Sequence, residues 1–218
     1  KKKDQAKEVS SHYDLGNEFY KLWLDPTMSY SCAYFKHEDD TLEQAQRNKV
    51  DYILEKLYLK EGMTLLDIGC GWGFLLIEAA KKYGVKGYGC TLSKEQWKKG
   101  QERIKAEGLE GQVQIELVDY RDLEDKGLIF DRIVSVGMME HVGRSNYATY
   151  METANHLLKD GGIFLLHTIT GHDEVVSEPW IRKYIFPGGM LPSLRELVSI
   201  AYDHAFRVQD VEYNGTMN

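Results

Sequence analysis

The sequence predicts an α/β fold, a doubly wound and mostly parallel sheet with helices on both faces. Short β-type runs alternate with helical patterns from residue 63 onward, and such repeats favour parallel strands joined by right-handed connections. A glycine-rich turn joins the first strand directly to the helix that follows it. The 218 residues suit one large domain, or a domain with a small appendage, and can enclose a substantial core.

Residues 1–40 form the first predicted unit. Their irregular pattern, rich in aromatic side chains, indicates short helices and loops that cover another part of the protein. Residues 41–218 are predicted to form the main domain, whose C-terminal part is expected to be incomplete. Its first helix follows Thr41, which stands at capping-box distance from Gln44. The apolar stripe of that helix consists of Ala45, Val50, Ile53, Leu54 and Leu57.

The later elements alternate regularly along the chain. The predicted strands cover residues 64–68, 85–90, 113–118, 131–136 and 162–169. The predicted helices between them cover residues 74–83, 94–106 and 147–158. A turn at 186–189, a helix over 193–206 and a strand starting near Val208 are predicted to follow. Ligands of such sheets bind beyond the carboxyl ends of the strands, so residues directly after each strand are the candidates for chemistry.

Composition narrows the class of protein. The net charge is −7, whereas nucleic-acid binders usually present a basic face, so we expect no nucleic-acid partner. Cys32, Cys70 and Cys90 have no CxxC spacing, which predicts reduced thiols without a disulfide framework or a metal site. The sequence has no secretory signal and no apolar run near the roughly 18 residues of a membrane-spanning helix. We therefore expect a cytoplasmic protein that meets any membrane from its surface.

The turn after the first predicted strand indicates a nucleotide-type cofactor site. Asp67 precedes Gly69, Gly71 and Gly73, and glycines allow a tight turn with positive φ and a close approach of the backbone to a ligand. The following helix directs its N-terminus at that ligand. A dinucleotide site also needs an acidic residue at the end of the second strand, and residues 89–93 contain none. The alternative is that these glycines serve tight packing alone.

Polar residues after the second and third strands have two interpretations each. Thr91 and Gln96 offer groups for ribose hydroxyls, but Ser93 stands at capping-box distance from Gln96, so this segment equally predicts a helix start. Tyr120, with Arg121 beside it, suits an adenine ring, which stacks on aromatic faces. The alternative for residues 119–122 is a solvated loop with an aspartate cap.

Three further residues are candidates for catalysis. Glu140 follows the fourth strand and His167 lies at the end of the fifth, where neighbouring groups can set each other's protonation state. The alternatives are a first-turn carboxylate favoured by the helix dipole and a satisfied core histidine. Cys32 is either a small buried hydrophobic residue or a nucleophile that needs a base such as His167 nearby.

Several motifs together resemble the cyclopropane fatty acid synthase family, which includes the mycolic acid cyclopropane synthases. Residues 67–73 alone match S-adenosylmethionine-dependent methyltransferases in general, whereas HYDL, YSCAYF, EHVG and LLHTI in combination are specific to the family. The amino-acid sequences of residues 119–123 and 179–188 are closer to the phospholipid-modifying branch of the family. The matching segments are residues 12–15, 30–35, 66–73, 91–93 with Gln96, 119–123, 131–143, 165–169 and 184–192.

The resemblance implies a class I S-adenosylmethionine-dependent methyltransferase fold, which is Rossmann-like, with an N-terminal helical cover. It implies transfer of a methylene group from S-adenosylmethionine to the cis double bond of an acyl chain in a membrane phospholipid. Methyl transfer leaves a carbocation, a bound bicarbonate removes a proton, and the cyclopropane ring closes. By resemblance, the bicarbonate is held by Cys32, Glu140, His167 and the backbone of Ile169. Tyr213 matches a further functional tyrosine of the family incompletely.

The resemblance also implies a cofactor site and partners. The expected partners are an unsaturated phospholipid and a membrane surface, and a homodimer is compatible with the sequence. Three alternatives stay open: a methyltransferase acting on a small soluble acceptor, a nicotinamide-dependent oxidoreductase, and a non-catalytic lipid-binding protein of the same fold. The residues expected to bind the cofactor are Tyr30, Ser31, Asp67, Gly69, Gly71, Thr91, Leu92, Gln96, Tyr120, Arg121, Val136 and Gly137.

Overall fold

The computed structural model describes residues 16–172 and 191–213. Its centre is a sheet of five strands, β1 (Thr64–Ile68), β2 (Lys86–Thr91), β3 (Val113–Leu117), β4 (Phe130–Val136) and β5 (Leu158–His167). All neighbouring strands are parallel, in the order β3–β2–β1–β4–β5. The predicted fold class is therefore confirmed. The strand order reverses between β1 and β4, which is where open α/β sheets bind ligands.

Helices connect and cover the strands. In the described residues they are α1 (Asn17–Lys21), α2 (Leu42–Lys56), α3 (Phe74–Tyr83), α4 (Lys94–Ala106), α5 (Met139–Val142), α6 (Tyr147–Leu157) and α7 (Leu194–Asp203). Polar caps set several helix starts, as the sequence predicted. Thr41 Oγ1 accepts a hydrogen bond from the Gln44 N–H, although the Gln44 side chain donates to Asn48 instead of completing a capping box. Ser193 and Glu196 form a complete capping box at α7.

Alternation along the strands produces two cores, one on each face of the sheet. Leu65 of β1 packs with residues of α2, α3 and α4. Leu66, the next residue, points to the opposite face and packs with residues of α5, α6 and α7. Successive side chains of a strand point to opposite faces, so an apolar run such as 64–68 buries both. The helices therefore cover both faces, as a doubly wound sheet requires.

The segment before α2 is fastened to the sheet domain by side-chain hydrogen bonds. Trp72 Nε1, in the loop after β1, donates to Asn17 Oδ1 over 2.7 Å. Arg103 Nη1 of α4 donates to the Thr27 carbonyl over 2.9 Å. The Gln46 amide of α2 donates to the Ser29 and Ser31 carbonyls. Residues 17–31 are thereby held against α2, α4 and the glycine loop.

The structure corrects two predicted elements near the end of the chain. β5 ends at His167, because the Ile169 N–H donates to Glu140 Oε1 rather than to a neighbouring strand. The strand predicted from Val208 is wrong for the described residues 208–213, which are irregular. There, Asp210 and Glu212 instead form ion pairs with Lys56 of α2. The predicted turn at 186–189 and motif 12–15 lie outside the described residues, as do 179–188 and most of 184–192.

None of the helices within 16–172 and 191–213 has both the length and the apolar character needed to cross a bilayer.

Gly89 of β2 gives a test of the packing beneath the glycine loop. A Cβ atom added there would lie 2.6 Å from Cys70 Sγ and 2.9 Å from Leu76 Cδ1, and overpacking of this kind costs about 1–3 kcal/mol. We expect Gly89→Ala to lower the free energy of unfolding by that amount in urea denaturation. The matched control is Gly111→Ala, since a Cβ atom there meets nothing within 4 Å. Equal stability of the two variants would contradict this packing.

Asp131 gives a test of electrostatic stabilisation at the start of the sheet. Its carboxylate accepts hydrogen bonds from the Thr64 N–H and hydroxyl and from Lys159. The Lys159 bond and the Thr64 bonds lower the pKa of Asp131 to about 2. A carboxyl group whose pKa is lowered in the folded state stabilises the fold at pH values above its ordinary pKa. That stabilisation is lost as the pH falls towards 2.

We therefore expect Asp131→Asn to lower the free energy of unfolding by about 1 kcal/mol at neutral pH. The difference from the unchanged protein should shrink between about pH 4 and pH 2, as the carboxylate takes up a proton. Denaturation curves recorded across this pH range measure it, with Asp160→Asn as an exposed control. A difference that stays constant with pH would refute the electrostatic origin.

Candidate active site

The loop between β1 and α3 is a tight turn built on glycine. Gly69, Gly71 and Gly73 have φ values of 78°, 54° and 82°, a region that side chains other than glycine rarely adopt. The N–H groups of Gly69 and Cys70 both donate to the Cys90 carbonyl at 3.1 Å. These bonds hold the loop against the end of β2, and the positive φ values are those predicted from the sequence.

A cleft lies beside this loop, at the carboxyl ends of the central strands. Its walls include the residue stretch 28–31, which precedes α2. All the residues predicted to bind a cofactor line this cleft except Arg121. Those lining residues are Tyr30, Ser31, Asp67, Gly69, Gly71, Thr91, Leu92, Gln96, Tyr120, Val136 and Gly137.

Thr91 and Gln96 form a buried hydrogen-bonded pair in the wall of the cleft. Thr91 Oγ1 donates to Gln96 Oε1 over 2.8 Å and accepts from the Ser93 N–H. Ser93 Oγ accepts from the Gln96 N–H and caps α4. The capping interpretation of this segment is therefore confirmed. Because Gln96 uses its side-chain oxygen within the protein, its amide N–H groups are suited to donate to a ribose hydroxyl.

Residues 119–122 have two roles, because some of them hold a turn and one of them lines the cleft. Asp119 Oδ1 accepts from the Arg121 N–H, which is the predicted aspartate cap. The Arg121 guanidinium forms two further bonds to the Asp119 carboxylate, of 2.8 and 2.6 Å, a paired geometry typical of arginine and carboxylate. Tyr120 is buried, packs edge-on against Tyr150 and lines the cleft. Tyr120 thus faces the cleft, while Arg121 holds the turn.

Asp67 is a buried carboxylate in the floor of the cleft. It is 2% exposed, and its Oδ1 atom has no hydrogen-bond partner among the described residues. Burial raises the pKa of Asp67 to about 7, and the positive charge of Lys49 opposes this rise. A buried acceptor without a partner carries a desolvation cost. Asp67 is therefore suited to accept a hydrogen bond from a positively charged or hydroxyl group of a ligand.

Lys49 of α2 is a cleft residue that the sequence interpretation missed. It is 4% exposed, and its Nζ donates to Ser31 Oγ over 2.6 Å. Burial lowers the pKa of Lys49 to about 8. The helical spacing in the sequence does indicate burial of Lys49, because position 49 lies four residues from both Ala45 and Ile53 on the buried stripe. A lysine on such a stripe needs polar surroundings within the fold.

A second group of polar residues lies at the ends of β4 and β5. Glu140 is in the first turn of α5, as one interpretation predicted, and its Oε1 accepts from the Ile169 N–H over 2.8 Å. Glu140 Oε2 and His167 Nδ1 have no hydrogen-bond partner among the described residues. Burial raises the pKa of Glu140 and lowers the pKa of His167 to about 4. His167 is therefore a neutral imidazole near pH 7.

Backbone pairing connects the two groups. The Gly137 N–H donates to the His167 carbonyl over 3.0 Å, and Val136 pairs with His167 in the sheet register. Gly137 and Val136 line the cleft, so His167 lies one strand away from it. The structure therefore brings Glu140, His167 and Ile169 to the same sheet edge as the cleft.

The remaining two candidates, Cys32 and Tyr213, are exposed to solvent. Cys32 is exposed, so its interpretation as a small buried hydrophobic residue is wrong. Tyr213 is 64% exposed. The side chain of its neighbour Glu212 is bound by Tyr52 and Lys56 of α2, so the described contacts of this segment are with α2.

Several curated proteins are similar to this chain. It is 54% identical over 194 residues to the cyclopropane-fatty-acyl-phospholipid synthase of Escherichia coli K12, covering 88% of this chain and 49% of that protein. It is 46% identical over 218 residues to a probable fatty acid methyltransferase of Pseudomonas putida, covering 97% of this chain and 55% of that protein. The chain thus spans about half the length of these two relatives. Cyclopropane mycolic acid synthase 1 of Mycobacterium tuberculosis is 41% identical, with 94% and 75% covered.

Solved structures agree with this relationship. The cyclopropane synthase MmaA2 from Mycobacterium tuberculosis matches with a TM-score of 0.87 and 37% identity, covering 94% of this chain and 76% of that one. The mycolic acid cyclopropane synthase CmaA1, complexed with SAH and CTAB, matches with a TM-score of 0.87 and 39% identity, covering 95% and 76%. The family model described as mycolic acid cyclopropane synthetase matches residues 1–216. This chain belongs to that family of cyclopropane synthases, as its motifs predicted.

Proposed function

We propose that this chain is the catalytic part of an S-adenosylmethionine-dependent cyclopropane-fatty-acyl-phospholipid synthase. The observation that carries the proposal is the bond between Gly137 and His167, because it joins a nucleotide-type cleft to a buried group with unpartnered polar atoms. The cleft suits a methyl donor, and the buried group suits the handling of a proton. The name of the Escherichia coli relative, at 54% identity, supports this reaction.

The cleft residues fit the proposed cofactor. When bound, S-adenosylmethionine supplies an electrophilic methyl group on a sulfonium. We assign the ribose to Thr91 and Gln96 and the adenine ring to Tyr120, whose side chains line the cleft at the ends of β2 and β3. The unpartnered Oδ1 atom of Asp67 suits the ammonium of the methionine part. The SAH complex of the related CmaA1 supports S-adenosylmethionine as the cofactor.

The second group fits a small anion that carries a proton, such as bicarbonate. Glu140 Oε2 and His167 Nδ1 are buried polar atoms without described partners, and such atoms are costly unless something bonds to them. The raised pKa of Glu140 favours sharing a proton with a bicarbonate hydroxyl. When bound, bicarbonate would supply the base of the reaction. The Ile169 N–H already donates to Glu140, so we assign Ile169 to fixing that carboxylate, with Cys32 as a further holder.

These residues would act on a substrate that reacts poorly in water. An alkene is a weak nucleophile, so an acyl chain must be held in line with the methyl donor in a dry pocket. The carbocation left by methyl transfer is stabilised by aromatic faces, and Tyr30 lies in the wall of the cleft. Loss of one proton from the new methyl group then closes the ring. Residues 1–40 would cover this site on the domain formed by 41–218.

The substrate class is proposed from the relatives. The Escherichia coli relative is a synthase of cyclopropane-fatty-acyl-phospholipids, so we propose an unsaturated phospholipid, reached at the surface of a membrane. Exposed apolar side chains in the segment 17–31, including Leu22 at 81% exposure, suit such a surface. The reaction would then take place on the cytoplasmic face.

Product analysis tests the reaction class. We expect vesicles of an unsaturated phospholipid, incubated with the protein, S-adenosylmethionine and bicarbonate, to yield a lipid that is heavier by one CH₂ and has lost its alkene signal. Mass spectrometry and proton NMR measure these changes, and saturated vesicles are the control. A methylated soluble acceptor with unchanged lipid would replace the proposal with an ordinary methyltransferase. Binding of NAD without binding of SAH would favour an oxidoreductase instead.

Glu140→Gln tests the second group. The amide cannot share a proton with bicarbonate, so we expect ring formation to fall by about 10²–10³-fold, the scale of losing one preorganised polar partner. Affinity for SAH, measured by calorimetry, should stay unchanged because Glu140 does not line the cleft. The exposed Glu152→Gln of α6 is the matched control. Full ring formation by Glu140→Gln would refute the role assigned to this residue.

A further inference from the structure

Lys49 is a charged residue of the cleft to which the proposed function gives no role. It lies on the buried stripe of α2 and is 4% exposed, yet it lines the cleft together with Ser31 and Asp67. Lysine is almost never this buried unless its charge is compensated. An ammonium group at this place therefore indicates a negative partner that enters the cleft.

The described contacts of Lys49 leave its charge incompletely compensated. Its hydrogen-bond partner is a neutral hydroxyl, Ser31 Oγ, at 2.6 Å. Asp25, Cys32 and Asp67 act on it electrostatically, but the desolvation of the ammonium outweighs them and keeps the pKa of Lys49 below its ordinary value. A carboxylate placed beside Nζ would offset that desolvation.

Lys49 is also not required to hold the loop that contains Ser31. The Gln46 amide, one helical turn earlier, already donates to the Ser29 carbonyl at 3.2 Å and to the Ser31 carbonyl at 2.9 Å. A side chain that merely fastened this loop would not need a charge. Gln46 of α2 thus holds the loop backbone with a neutral amide. Lys49 of α2 instead brings a positive charge to a hydroxyl group in the cleft wall.

The position of Lys49 along the cleft suggests which anion it meets. The residues assigned to adenosine lie at the ends of β2 and β3. Ser31 lies at the opposite side, because a Cβ atom added at Gly137, directly after β4, would be 3.4 Å from the Ser31 Cβ. A cofactor that spans the cleft from β3 towards β4 therefore brings its amino-acid end to Ser31, Lys49 and Asp67.

Resting on the proposed function, we propose that Lys49 and the Ser31 hydroxyl bind the carboxylate of the methionine part of the cofactor. Asp67 would take the ammonium of the same group. Together the two buried residues present one negative and one positive charge to a ligand end that carries one of each. The pair would distinguish a complete cofactor from an adenosine thioether that lacks the amino-acid end.

Comparing two ligands tests this assignment without measuring catalysis. SAH carries the amino-acid end, and 5′-methylthioadenosine has the same adenosine and sulfur without it. We expect Lys49→Met to weaken SAH binding by about tenfold to a hundredfold, as loss of a charge-assisted hydrogen bond would. Binding of 5′-methylthioadenosine should change by less than about threefold. Lys49→Arg, which keeps the charge, should retain more SAH affinity than Lys49→Met.

Gln46→Met is the matched control, because it releases the same loop without removing a charge. It should weaken SAH binding less than Lys49→Met does, because the Lys49 ammonium and the Ser31 hydroxyl both remain. Equal weakening of both ligands by Lys49→Met would reduce Lys49 to a structural residue and overturn the proposal. Unchanged SAH affinity with a raised bicarbonate requirement would also overturn it and move Lys49 to the Glu140 group. If the unchanged protein bound neither ligand, the proposed function itself would fail, which is a different result.

Thermal denaturation separates these outcomes from loss of the fold. Lys49→Met replaces a buried charge by an apolar side chain of similar length, and such replacements are often neutral or stabilising. We therefore expect its melting temperature to match or exceed that of the unchanged protein. Retained 5′-methylthioadenosine binding is a second measure of an intact cleft.

Discussion

The structure depends on one constraint, the way β1 turns into α3 at the centre of the sheet. The Gly69 and Cys70 N–H groups share the Cys90 carbonyl, and three glycines with positive φ complete the turn within the residues 69–73. These two hydrogen bonds hold the loop against β2, and the other side of the loop faces the strand ends. Because β1 has β2 on one side and β4 on the other, every cleft residue is placed relative to this turn.

Burial of ionisable groups is the second property that unites the site. Asp67, Lys49, Glu140 and His167 all have pKa values shifted by desolvation towards their neutral forms. Each such group costs folding free energy unless a partner compensates it. Residues 28–31, fastened to α2 by Gln46, form one wall of the cleft beside these groups. The site therefore contains buried polar groups with few partners, and a charged ligand can bind to them.

Much of the fold could be predicted because its patterns are local. Alternating apolar runs set the strands, and caps such as Ser93 set the helix starts, since both depend on residues close in sequence. The predictions that failed depended on distant partners. Residues 208–213 carry charges that pair with Lys56 rather than with another strand. Arg121 binds its near neighbour Asp119, two residues away, and its expected contact with a cofactor stays a prediction.

For the site, the sequence by itself determined the glycine turn, the residues at the strand ends and the family to which the chain belongs. These follow from local backbone requirements and from motifs of fixed spacing. Only the tertiary structure decided that Glu140 is fixed by the Ile169 N–H, and that Lys49 reaches Ser31 across the cleft wall. Those pairs lie 29 and 18 residues apart along the chain. The physical reason is that burial and charge compensation are set by packing between elements, which local patterns do not encode.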